Sequence, residues 1–459
     1  MQFSRSSASL AKISVSAWVA TVLRAVASDP IVPPSDLPKG ASDAALQTPG
    51  EASTWNWHVQ NTDIVQFQPR FPAAYSGPNS LLNANEARES ISLDFMLGAR
   101  LWRGAEFHID GLAWQGYGLS KTLGVEAFPN AEVYRYGVTI PNVNLPRVFV
   151  RQTIGFGGGQ ESVADDQFHL AGKQDVSRLT LTIGKMSVHD IFDNNAYAND
   201  PRTQFLNWGF TANLAWDYPA DSLGYITGLA AELNQPQWTL RYGFFQVPKV
   251  SNGLGVDEHY LAAWGMVTEF ERRFSLGSHP GAVRLLAYLN RAHMGSYQES
   301  LDNGLASNIA ATRAYRYKYG FGLNLEQEII KGIGTFARLG WSDGRTEAWA
   351  YSDVGATASA GLSFNGLLWH RPNDTIGLAG IVNGISKVHQ AFLAAGGSGI
   401  LAGDGALNYG LERVLETYYD LEIYKTIHGA VDYQFIENPA FNRDRGPVSV
   451  ISARLHWEF

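Results

Sequence analysis

The feature that most constrains this chain is a two-residue periodicity that returns from residue 90 to the end. In 315–326, Tyr315, Tyr317, Tyr319, Phe321, Leu323 and Leu325 fall on one side, and Arg316, Lys318, Gly320, Gly322, Asn324 and Glu326 on the other. Successive side chains of a strand point to opposite faces, so this segment is a strand with one apolar and one polar face. The pattern repeats in 90–101, where Ile91, Leu93, Phe95 and Leu97 alternate with Ser90, Ser92, Asp94 and Met96. It repeats in 237–246, with Trp238, Leu240, Tyr242 and Phe244 against Thr239, Arg241 and Gly243. Further strands are expected at 148–156, 178–185, 205–218, 222–233, 262–274, 282–293, 333–342, 358–370, 374–385, 410–425, 428–436 and 448–459, and one more near 132–140. The total is roughly 16, within the even-numbered range of membrane barrels.

Connection lengths alternate as well. Arg103-Gly104, Asn234-Gln235-Pro236, Lys331-Gly332 and Arg371-Pro372-Asn373-Asp374 read as tight turns, while 187–204, 294–312 and 386–409 are long and irregular. Short turns on one rim and long loops on the other are the construction of an outer-membrane barrel. Trp102, Trp114, Tyr117, Trp216, Tyr218, Trp341, Trp369, Tyr418, Tyr419 and Trp457 stand near strand ends, where interfacial girdles are expected. The last strand puts Ile451, Ala453, Leu455, Trp457 and the terminal Phe459 on one face, and Ser452, Arg454, His456 and Glu458 on the other. A charged inner face suits a wet lumen better than a packed core. The expected fold is therefore all-β: a single transmembrane antiparallel barrel with short periplasmic turns and long extracellular loops.

Composition removes the main competitors. Past residue 27 no run of 18 apolar residues occurs, which excludes a helical membrane protein. A net charge of -8 gives no basic field for nucleic acid, and the absence of cysteine removes thiolate sites and cysteine nucleophiles. Residues 1–27, with Arg5, Lys12 and Ala25-Val26-Ala27, read as a signal peptide; 28–53 reads as a flexible lead-in and 54–459 as one barrel domain.

Catalytic motifs are missing: there is no G-x-S-x-G, H-E-x-x-H or phosphate-binding loop, and the glycines at 155–159 read as a loop tip. His108 and Asp110 share a strand face with Glu106, and Glu412, Glu416 and Asp420 with Glu422. Both sets read as charges lining water. No metal and no cofactor are expected.

The stretches GKMSVHDIFDNNAYANDPRTQFLNW (184–208), GLLWHRPNDTIGLA (366–379), GGSGILAGDGALNYGLERVLETYY (396–419) and DYQFIENPAFNRDRGPVSVISARLHWEF (432–459) resemble the carbohydrate-selective outer-membrane porins, the OprB-like family. The resemblance runs from about Thr54 to the end. It implies a 16-stranded passive channel for monosaccharides in a Gram-negative outer membrane. It also implies the lipid bilayer and the barrel-assembly machinery as partners, with the barrel a monomer or a homotrimer. Phe392, Phe441 and the lack of an acidic residue before Gln115 depart from that pattern.

Sugar hydroxyls need weak donors and acceptors in the constriction, which Asp, Asn and Arg provide. Loop 187–204 has them, and Asp190, Asp193, Asn195, Asn199 and Arg202 are the expected contacts if part of that loop folds inward. The alternative is that they tie the loop to the wall through Asx turns. Arg316, Lys318 and Arg338, with Arg241, are expected to face the lumen as a positive stripe opposite the loop. Two other channel readings are general diffusion and an organic-anion porin. An outer-membrane glycan hydrolase using Asp193 and a soluble sandwich lectin complete the alternatives.

Overall fold

The computed structural model describes residues 52–135 and 137–459, so the expected signal peptide 1–27 and most of the lead-in lie outside the described residues. Sixteen strands close into one antiparallel barrel in sequence order. They are β1 Trp55–Gln68, β2 Glu86–Trp102, β3 Ala105–Gly116, β4 Val138–Val163, β5 Gly172–Met186, β6 Ile226–Asn234, β7 Trp238–Phe245 and β8 Trp264–Leu276. The second half is β9 His279–Met294, β10 Ala314–Ile330, β11 Ile333–Ser342, β12 Ala356–Asn365, β13 Thr375–Gly384, β14 Glu412–Tyr424, β15 Ile427–Glu437 and β16 Val448–Glu458. The first strand pairs with the last, from Gln60 opposite Glu458 to Phe67 opposite Ile451, so neither becomes an edge.

Alternation assigns the faces as the sequence indicates. Ile91, Leu93, Phe95 and Leu97 of β2 are exposed outside, while Ser90, Ser92, Asp94 and Met96 are buried inside. Tyr315, Tyr317, Tyr319 and Phe321 of β10 also face out. A soluble sandwich would bury these rows against a second sheet; in a closed single sheet they are left for lipid. Among the expected girdle residues, Trp102 and Trp341 are exposed outside, but Trp114, Trp216, Tyr218 and Tyr418 are buried inside.

Two of the expected strands are not strands. Residues 205–218 form an irregular stretch with a short helical turn at Trp208–Thr211, and of the expected strand at 132–140 the residues 132–135 belong to a loop, with β4 beginning only at Val138. Their places are taken by β1 and β3. In β1 the outward row is interrupted by Asn61 and Asp63, and in β3 the inward row contains Leu112 and Trp114, so neither shows clean alternation. The apolar inward residues of β3 make sense because loop side chains lie against them: Trp114 meets the Tyr134 ring edge-on at 4.8 Å.

The rims differ as expected. One carries short turns such as 277–278, 331–332 and 425–426, and the other carries loops such as 187–225, 246–263 and 385–411. The glycines at 155–159 are not a loop tip. They lie within β4, and Gly157, Gly158 and Gly159 have φ of +88°, +80° and +94° at a pair of register breaks.

An arginine placed in the outer band should be costly. Phe95→Arg, at the middle of the outward row of β2, is expected to lower folding stability in vesicles by about 2–4 kcal/mol. Urea titration of the refolded barrel measures it, and an unchanged midpoint would mean that this face does not meet lipid.

Candidate functional site

A loop that enters a barrel carries backbone amides away from water, and each needs an acceptor. Loop 187–225 solves this with carboxylates of the inner wall. Glu269 of β8 accepts from Asp193 N at 2.7 Å, and Glu326 of β10 accepts from Ala196 N at 2.7 Å. Glu416 of β14 accepts from Leu206 N at 2.5 Å and Asn207 N at 3.1 Å. A neighbouring loop uses the same device, since Glu412 accepts from Glu126 N and Ala127 N.

Apolar packing completes the seat. Phe205 and Phe210 pack with Phe336, Ile381, Val414 and Tyr418 on the inner faces of β11, β13 and β14. Phe192, Trp216 and Tyr218 pack with Ala230, Phe245, Val267 and Leu286 on the other side. The loop thus fills the part of the barrel bounded by the later strands.

What remains is an off-centre cavity of about 1340 Å³. It is lined by β1, β4, β5 and the end of β16, by loop residues and by the turn 164–171; β6 to β15 contribute no lining strand residue. Two arginines dominate it. Arg147 of β4 grips Asp190 with two bonds of 2.8 Å and reaches Asp110 at 2.9 Å. Arg202 reaches Asp94 at 2.8 Å and Glu132 at 2.8 Å. Rings from Phe128, Trp208, Tyr218 and Tyr351 form an aromatic wall on the same cavity, with Phe128 stacked on Trp208 at 5.5 Å and Tyr218 on Tyr351 at 5.3 Å. His189 lies among them, and burial pulls its imidazole down to about 4, so it is neutral at physiological pH.

The residues singled out from the sequence divide into two sets. Asp190, Asn199 and Arg202 border the cavity. Asn195 borders it too, but its amide is spent on Asn324 Oδ1 at 2.7 Å and on an Asx turn to Tyr197 N. Asp193 is buried away from the cavity, accepting from Asn213 N, Asn324 and Arg338. Arg338 and Lys318 face inward, as alternation predicts, yet both are covered by the loop. Arg338 holds Asp193 and the Phe210 carbonyl, and Lys318 holds Asp217 at 3.1 Å. Arg316 sits at the long-loop rim on Glu299 at 2.6 Å. Arg241 is neutralised by Glu232, Glu269 and Glu271. The expected positive stripe is therefore a set of ion-paired residues, with Arg338 and Lys318 anchoring the loop that covers them, because alternation tells which way a side chain points and not what covers it.

Sequence reasoning passed over Arg147, Asp94 and Glu132. Asp94 was within reach, since it occupies an inward position of a clean alternating strand. Arg147 lies in a stretch broken by Pro141 and Pro146, and Glu132 in a loop, where no periodic signal exists.

A sequence profile described as carbohydrate-selective porin, OprB family, matches residues 78–459. No curated protein matches the chain. Among solved structures, the OprB of Pseudomonas putida determined at high pH is similar with a TM-score of 0.68 and 16% identity, over 88% of this chain and 94% of that one. The outer-membrane channel DcaP of Acinetobacter baumannii gives 0.47 and 9% identity over 91% and 100%. OccAB1 of the same organism gives 0.49 and 9% over 92% and 99%. The first of these supports the barrel fold independently of the profile.

If the wall anchors hold the loop, removing one should loosen it without opening the barrel. Arg338→Ala leaves Asp193 buried and unpaired, a loss of about 3 kcal/mol or more. Hydrogen exchange at the amides of 193–213 should then accelerate roughly 100-fold while β2 and β16 amides are unaffected. Unchanged exchange in 193–213 would contradict the anchoring role.

Proposed function

The chain belongs to the carbohydrate-selective porin family, OprB, and from that premise we propose that the Arg147 and Arg202 constriction beside loop 187–225 is where it selects neutral monosaccharides for passive diffusion. The observation that carries this reading is the mixed lining of one cavity, which brings ion-paired arginines and carboxylates together with aromatic rings. A pyranose has the matching shape, with hydroxyls at its edge and an apolar face of C–H groups. Guanidiniums donate to hydroxyl oxygens and carboxylates accept from hydroxyl hydrogens, so each water shed by the sugar finds a replacement.

Holding must remain weak if the solute is to leave. The pairing already present ensures that. Arg147 and Arg202 spend their N–H groups on Asp190, Asp110, Asp94 and Glu132, so a hydroxyl competes with an internal bond and gains little. Trp208 and its neighbours add contact without a directional bond.

Charge separates this reading from an organic-anion porin. Among the described lining residues, Arg147 and Arg202 face Glu132, Glu161, Asp165, Asp166, Asp190, Asp200 and Glu458. A passage so acidic repels carboxylate solutes. The hydrolase reading placed a reacting carboxylate at Asp193, which is 2% exposed and fully engaged by anchors. The route to the membrane proposed here is removal of residues 1–27 and insertion by the barrel-assembly machinery, the barrel working alone or as a homotrimer with one pore in each copy.

Single-channel conductance in a planar bilayer, titrated with glucose, tests the proposal. Half-block is expected in the millimolar range, equivalent to about -4 kcal/mol, and Trp208→Ala should weaken it roughly fivefold by removing about 1 kcal/mol of apolar contact. Conductance without any sugar block would contradict sugar selection and leave a general-diffusion pore. In a salt gradient the reversal potential should show preference for cations; preference for anions would contradict the charge assignment.

A further inference from the structure

The hairpin of β4 and β5 does not stop where its neighbours stop. The last partner of β4 on β3 is Gln152, opposite Ala105, and the first partner of β5 on β6 is Arg178, opposite Asn234. Beyond them 153–155 of β4 still pair with 178–180 of β5, and past that point 157–163 and 172–177 pair only with each other, as a ribbon hanging from the short-turn rim. A free ribbon would continue away from the barrel. This one turns back, and the turn is written in the register breaks at Gly155–Gly157 and Gly157–Gln160 and in the left-handed backbone of Gly157, Gly158 and Gly159. A Cβ at Gly157 would meet no atom within 4 Å, so conformation and not crowding demands glycine there.

The bend delivers the tip to the mouth of the pore, where inner-wall side chains hold it. Asn56 Nδ2 donates to Asp165 Oδ1 at 2.9 Å and to the carbonyls of Asp166 and His169 at 3.1 and 3.0 Å. Gln167 donates to Gln60 at 2.7 Å, and Arg151 donates to the Phe168 carbonyl at 2.6 Å. Phe168 is thereby directed into the cavity, its ring centre 4.6 Å from the guanidinium carbon of Arg147. An idle periplasmic turn would leave its carbonyls to water and keep an aromatic ring out of a polar passage. Here the wall satisfies the backbone and the ring covers the constriction arginine.

We propose that this hairpin tip is a second selectivity element, a wall raised from the periplasmic side, with Phe168 as the specificity-determining residue that sets the largest solute admitted. It rests on the reading of the Arg147 constriction as the sugar path. Phe168 then shares one passage with the rings of Phe128, Trp208, Tyr218 and Tyr351, and the ring narrows it so that neutral monosaccharides pass while disaccharides do not.

The test compares Phe168→Ala with the native channel by single-channel conductance and by liposome swelling in glucose and in maltose. Removing the ring should raise conductance roughly twofold, weaken glucose block, and admit maltose that the native channel excludes. Unchanged conductance and continued exclusion of maltose would overturn the proposal while native conduction and glucose block stand. A native channel showing neither conduction nor block would instead defeat the constriction reading beneath it. Should Phe168→Ala fail to assemble, judged by heat-modifiable gel mobility, Gly157→Val serves in its place. A side chain at that φ straightens the ribbon and withdraws the tip, so the same widening is expected and its absence overturns the proposal.

Discussion

The rest of the structure depends on inner-wall carboxylates accepting the backbone amides of loops folded into the barrel. A chain segment inside a barrel faces the same demand as one inside a membrane: every amide needs a partner. Glu269, Glu326, Glu412 and Glu416 stand at inward positions of β8, β10 and β14, the last contributing two, and each accepts from one or more loop amides. A carboxyl group offers two oxygens, so one side chain can serve two amides, as Glu412 and Glu416 each do. Asp193 reverses the arrangement, with the carboxylate on the loop and Asn324 and Arg338 on the wall.

Once seated, the loop bounds the open part of the lumen. It closes the part of the lumen bounded by β6 to β15 and leaves the cavity against β1, β4 and β5. The groups of the proposed selectivity site come from unrelated parts of the chain: Arg147 and its partner Asp110 from strands, Asp190 and Arg202 from the inserted loop, Glu132 from another loop, and Phe168 from the turn 164–171. Each arginine is held by two carboxylates, which on the reading proposed above keeps the passage polar yet only weakly adhesive.

The barrel was legible in the sequence because a lipid face and a lumen face impose strict alternation, as in 315–326 and 90–101. It failed where one face lost its character. Asn61 and Asp63 blur β1, Leu112 and Trp114 blur β3, and the apolar row of 205–218 imitates a strand although it packs inside the lumen. The same limit governs the site. Asp190 and Arg202 were found in the loop by residue type, but the difference between them and Asp193, or between Arg147 and Arg338, is a matter of what lies on top of each. Periodicity reports direction, and coverage comes only from the tertiary path of the loop.

The most direct measurement is current through channels carrying one introduced cysteine, in a chain that has none of its own. Asn199→Cys, on the cavity side of the loop, should react with a small charged thiol reagent and lower the current stepwise, whereas Asn213→Cys, buried behind it, should remain unmodified. Modification of Asn213→Cys with a current change, or an inert Asn199→Cys, would mean that the loop does not bound the path that solutes take.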